Sequence, residues 1–177
     1  MDRMQFVPGF TLTALLRSRT LDARCAVTLP RQVVDGLGAA HAAGLAHHDV
    51  KPANVLVDDA DHAYLGDLGL TRAGTASAMT VTGRLVGTVA YLAPGRQGDA
   101  ATPASDRCAF AAMAFECLTG TRVFPRVSDM ANLHAHTRES PSTSVASTAP
   151  ADARQALRDG ELFVVVLDIR SNSRRLV

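Results

Sequence analysis

Four polar residues in this 177-residue chain have the types and spacing that transfer of a phosphoryl group would use. Three fall in His47-His48-Asp49-Val50-Lys51-Pro52-Ala53-Asn54, and the fourth opens Asp67-Leu68-Gly69. The reaction needs a group that orients the attacking hydroxyl, cations that spread the charge of the moving phosphoryl, and ligands that hold those cations. Asp49 can accept the hydroxyl proton, and Lys51 can neutralise the terminal phosphate. Asn54 and Asp67 offer the hard oxygen ligands that Mg²⁺ takes. Gly69 allows a sharp turn after Asp67.

The flanking sequence predicts elements that could bring these groups together. Val55-Leu56-Val57 and Ala63-Tyr64-Leu65 are β-prone runs parted by the polar Asp58-Asp59-Ala60-Asp61-His62, which reads as a hairpin with Asn54 at its entrance and Asp67 at its exit. Upstream, Leu12, Leu15 and Leu16 follow the Pro8-Gly9 turn at helical spacing, so a short helix is expected within residues 11–18. Over residues 21–43, Val33, Val34, Leu37, Ala40 and His41 share one face and Gly44 supplies a stop, which predicts a longer amphipathic helix. Pro30 lies inside it, and an interior proline costs about 3 kcal/mol, so a kink or a late start is expected. Residues 71–87 are rich in Gly, Ser, Thr and Ala and read as a surface loop. Dense apolar residues at 106–118, with Thr102-Pro103-Ala104-Ser105 before them and Gly120 after, predict a buried helix. Residues 140–150 read as a linker, 151–158 as helical and 162–169 as strand-like.

Composition excludes several functional classes. With 47% hydrophobic and 20% charged residues the chain is globular, of a length that suits one domain. The apolar run at 162–167 is too short to span a bilayer, so no membrane segment is expected. No signal-like run follows the N-terminal residues, which points to the cytoplasm. Eighteen Lys plus Arg balance seventeen Asp plus Glu without a basic tract, giving no electrostatic case for nucleic acid. Cys25, Cys108 and Cys117 form no CxxC pair and are expected to be buried free thiols.

Taken in order, the motifs resemble those of bacterial serine/threonine protein kinases over about residues 4–138. His47 to Asn54 is similar to the family's His-Arg-Asp catalytic loop, and Asp67-Leu68-Gly69 to its Asp-Phe-Gly. Gly87-Thr88-Val89-Ala90-Tyr91-Leu92-Ala93-Pro94 is similar to the segment that closes the activation loop. Asp106 resembles the helix aspartate that buttresses the catalytic loop, and Leu118-Thr119-Gly120 with Phe124-Pro125 the end of that helix.

The resemblance implies a mainly α fold with short β-hairpins, the C-terminal lobe of a kinase, with the N-terminal lobe missing. Residues 1–138 would form that lobe, 139–150 a linker and 151–177 a divergent tail. It implies ATP and Mg²⁺ as cofactors and protein serine or threonine as acceptor, with Lys51 and Thr88 favouring these over tyrosine. Asp49 and Lys51 would be catalytic, Lys51, Asn54 and Asp67 would bind the nucleotide complex, and Asn54 and Asp67 would ligate the metal. His47 would be a packed scaffold residue. Thr80 and Thr82 resemble the paired phosphothreonines of bacterial members.

Departures from the pattern qualify this. His48 replaces the arginine that pairs with a phosphorylated activation loop, which predicts weaker phosphate sensing. Gly95 replaces the glutamate of Ala-Pro-Glu, and its usual arginine partner has no clear match; Leu68 for phenylalanine is a mild apolar change. The 48 residues before Asp49 hold neither a glycine-rich phosphate loop nor a Val-Ala-x-Lys-like strand, so only trace turnover by the chain alone is expected. Apolar surface left uncovered by the lobe would favour self-association. Two alternatives stand beside the kinase: a pseudokinase-like binding module or a decayed gene fragment, and, last, a small-molecule phosphotransferase of the aminoglycoside type.

Overall fold

The computed structural model describes residues 8–18, 21–68, 89–91, 93, 102–126, 128–139 and 151. Among them are four helices and a small antiparallel sheet, in agreement with a mainly α fold. The expected loop at 71–87, Gly69, Thr80, Thr82, Thr88 and Gly95 lie outside the described residues, as do the linker and tail apart from 139 and 151.

The hairpin forms as expected from β2 (Val55–Val57) and β3 (Ala63–Leu65), with Val55 opposite Leu65 and Val57 opposite Ala63. Asp58 organises its turn: Oδ1 accepts hydrogen bonds from the backbone N–H of Ala60 and of His62, both at 2.9 Å. A strand not expected from the sequence, β1 (Phe10–Thr11), pairs antiparallel with β2. Gly9 permits that approach: its φ is +150°, and a Cβ there would lie 2.1 Å from the Val57 carbonyl oxygen. Two residues are too few to carry a period-two signal, which hid the strand.

Helix α1 (Leu12–Ser18) follows at once, with the Thr11 hydroxyl accepting from the Ala14 N–H. Helix α2 (Ala23–Ala42) starts seven residues before Pro30, so the late start does not occur. Its N-cap explains this, because the Asp22 carboxylate accepts from the Cys25 N–H at 2.7 Å. Burial of Cys25, Ala26, Leu29, Pro30, Val33 and Leu37 along one face offsets the proline penalty. Gly44, at φ +77°, ends the helix, and the Leu45 N–H reaches back to the Ala40 carbonyl.

Helix α3 (Pro103–Thr119) is the centre of the core. Residues 109–115, 117 and 118 are all buried, so it is covered on nearly every side, by α2 among other elements. It begins a turn earlier than its apolar run, because Thr102 and Ser105 form a reciprocal capping box and Pro103 takes the first helical position. Helix α4 (Asp129–Arg138) packs on the 3-10 turn Val89–Tyr91, and His136 meets Phe124 edge to face.

Cys25 and Cys117 are buried thiols as expected, whereas Cys108 is only partly buried. Burial pushes Cys25 up to about 11 and Cys117 higher still, so both are held as neutral thiols.

Candidate active site

The segment between α2 and β2 is held from beneath by Asp106, a carboxylate with 1% exposure on the first turn of α3. It accepts three hydrogen bonds: Oδ2 from the His47 N–H at 2.7 Å, Oδ1 from the His48 N–H at 3.0 Å, and Oδ2 from His41 Nε2 at 2.9 Å. Two successive amides are thereby pinned to one group, and His48 is held at φ +76°, a left-handed conformation uncommon for a side-chain-bearing residue. Such strain persists where surrounding contacts over-determine it.

His47 is fully buried and is tied on both ring nitrogens. The Asp49 N–H donates to Nδ1 at 3.3 Å, so Nε2 carries the hydrogen that reaches the Gly66 carbonyl oxygen at 2.8 Å. The ring therefore links the segment before Asp49 to the segment before Asp67. This matches the scaffold role expected of it.

Beyond His47, three of the four candidate residues meet. Asp49 Oδ2 lies 2.7 Å from Lys51 Nζ and accepts from Asn54 Nδ2 at 3.0 Å. Asn54 Nδ2 also donates to the Asp49 carbonyl oxygen at 2.8 Å. A 3-10 turn over Pro52–Asn54 makes this reach possible, with the Asn54 N–H bonded to the Lys51 carbonyl. With its amide nitrogen committed to Asp49, Asn54 presents Oδ1, which is the atom a hard cation would require.

Asp67 approaches through the backbone. The Gly66 N–H donates to the Asn54 carbonyl oxygen at 2.8 Å, so the hairpin sets Asn54 opposite Gly66 and one residue from Asp67. Asp67 is exposed, and its φ of +59° turns the chain there. Among the described residues no three His, Cys, Asp or Glu side chains cluster as a metal site.

Sequence reasoning missed two supporting pairs. His41 was read only as part of the α2 face, yet it bonds to Asp106 across 65 positions of sequence; a polar side chain on an otherwise apolar face was the available signal. Tyr91 donates its hydroxyl to Glu116 Oε2, and Arg122 Nε lies 3.8 Å from Glu116 Oε1. Burial, followed by the Glu116 charge, raises the Tyr91 hydroxyl far above its ordinary range and keeps it a donor. Nothing in the local sequence marks that pair.

This architecture and its pinned loop agree with a chain of the protein kinase class. The sequence pattern of the protein kinase domain matches residues 3–173, and the chain belongs to that family. Among curated proteins it is similar to the serine/threonine-protein kinase PknD of Mycobacterium tuberculosis, 45% identical over 119 residues, which are 66% of this chain and 18% of that one. It is similar also to PknL of the same species, 42% identical over 123 residues, covering 68% of this chain and 31% of the relative. PknE, again from M. tuberculosis, is 43% identical over 120 residues, 67% of this chain and 21% of its own. The chain therefore spans between about a fifth and a third of these relatives. Protein kinases as a family use ATP and Mg²⁺. No helix among the described residues is long and apolar enough to cross a membrane.

Proposed function

We propose that this chain carries the catalytic loop of a serine/threonine protein kinase, transferring the γ-phosphoryl group of ATP to a protein hydroxyl. The observation that carries the reading is the closed set Asp49, Lys51 and Asn54, beside Asp67 and fixed to Asp106. Positioning and electrostatics supply almost all of the catalysis in this reaction, and a pinned loop is how a protein provides both.

In the proposed step the substrate oxygen forms its bond to the γ-phosphorus while the bond from that phosphorus to the β–γ bridging oxygen breaks, with ADP leaving. Asp49 orients the hydroxyl and takes its proton on the carboxylate. Lys51, already 2.7 Å from Asp49, follows the negative charge onto the moving phosphoryl. Asn54 Oδ1 and Asp67 would hold Mg²⁺, which when bound neutralises the phosphate oxygens. Lys51 and Thr88 support serine or threonine as the acceptor.

Titrating ATP with and without Mg²⁺ against the wild type and Asp67→Asn tests the cofactor part of this reading. Mg²⁺-dependent nucleotide binding that the substitution weakens by at least about tenfold is expected, from loss of a charged ligand. Binding indifferent to both Mg²⁺ and the substitution would contradict it.

A further inference from the structure

Beside the catalytic loop, α1, Tyr91 and the end of α3 line an open pocket of about 260 Å³. Among the described residues, Thr13, Arg17, Lys51, Tyr91, Glu116 and Arg122 supply its polar lining. The volume is below the usual range for a drug-sized ligand and suits a single side chain.

Among the described residues three cations and one carboxylate line this space, and the carboxylate is already answered. Glu116 accepts from the Tyr91 hydroxyl and faces Arg122, and its side chain is only 14% exposed. A cation entering the cavity would have to displace Arg122 from Glu116. An anion meets Arg17 and the more exposed flank of Arg122, 43% accessible, without disturbing that pair. Lys51 sets the distance to the chemistry, because it lines the cavity and reaches Asp49 at 2.7 Å. An extended peptide advances about 3.3 Å per residue, so a group in the cavity and a hydroxyl at Asp49 belong within about three residues of each other.

We propose that this cavity takes an anionic side chain of the polypeptide substrate, a carboxylate or a phosphate, close in sequence to the acceptor hydroxyl. The proposal rests on the kinase reading and adds a selectivity to it. Arg122 is the determinant: by neutralising Glu116 it turns a pocket that would otherwise draw cations into one that draws anions.

Fluorescence anisotropy with labelled peptides tests this on the chain. Each peptide carries one threonine, and the three positions on either side hold glutamate, phosphoserine, glutamine or arginine in turn. At one position at least, glutamate or phosphoserine should bind about fivefold tighter than glutamine, the size of a partly exposed charge pair. Phosphoserine well above glutamate assigns the site to phosphate, and parity assigns it to carboxylate. Arg17→Gln should erase the preference. Arg122→Gln, which strips Glu116 of its cation, should reverse it toward arginine, an outcome that mere loss of packing would not produce. Circular dichroism of each variant confirms that the fold is kept. No anionic preference at any position, or a preference unchanged in both variants, overturns the proposal. Phosphate transfer to the same peptides is read separately, on the chain placed behind the N-terminal lobe of a relative such as PknD. Asp49-dependent transfer without anionic preference sinks the pocket and spares the kinase; preference without transfer does the opposite.

Discussion

Asp106 carries more of the site than any residue that would touch substrate. Its buried carboxylate accepts from two backbone amides and from His41, and each of those donors would be stranded without it. An unsatisfied buried donor costs about 1–3 kcal/mol, and hydrogen bonds to a charged group lie at the upper end of the scale. Asp106→Asn keeps the size but turns an NH₂ toward at least one N–H donor. Urea denaturation should show a loss of about 3 kcal/mol for this variant, with the midpoint moving and the slope unchanged. Asn54 acts at the same scale but differently. Its amide nitrogen bridges the Asp49 carbonyl and carboxylate, so Asn54→Asp would place a carboxylate oxygen 3.0 Å or less from Asp49 Oδ2. That repulsion should destabilise the loop, read as a melting temperature below that of the wild type.

Elements set where these residues stand, and their ends are the points most open to test. The capping box at the start of α3 places Asp106 one turn inside the helix, under the loop it supports. Thr102→Ala removes the side-chain acceptor for the Ser105 N–H and should cost about 1 kcal/mol by thermal or urea denaturation. The effect should reach the site less than Asp106→Asn does, because Asp106 is also fixed by its own three bonds.

The elements also show how far sequence could be read. The hairpin and both long helices were legible because their signals are local, and three of the four candidate groups could be picked out because eight consecutive residues hold them. Strand β1 was not, since two residues give no periodicity, and the start of α2 was obscured by Pro30, whose cost burial outweighs. The pairs His41–Asp106 and Tyr91–Glu116 join positions distant in sequence, and only packing brings them together.

At the scale of the whole molecule, acid sensitivity follows from His136. Burial holds its imidazole below the usual histidine range, and a backbone hydrogen bond to Ala90 only partly opposes this. The folded state therefore keeps the ring neutral where the unfolded chain would bind a proton. Stability from this group is complete above about pH 6.5 and declines as pH falls below it. Asp58 acts in the same sense at lower pH: backbone hydrogen bonds, that of His62 foremost, hold its carboxyl below the ordinary range, so its contribution fades only in stronger acid. Melting temperature should thus drop between pH 7.5 and 5.5, and His136→Phe, which keeps the contact with Phe124, should flatten that drop.

The central claim concerns Asp49 and is most directly tested by placing this chain behind the N-terminal lobe of a relative such as PknD and following label from [γ-³²P]ATP into protein. Wild type should label serine or threonine in a Mg²⁺-dependent manner, and Asp49→Asn should reduce the rate by at least about 10²-fold. Equal labelling by the two proteins, or none by either in a correctly folded fusion, would contradict the account.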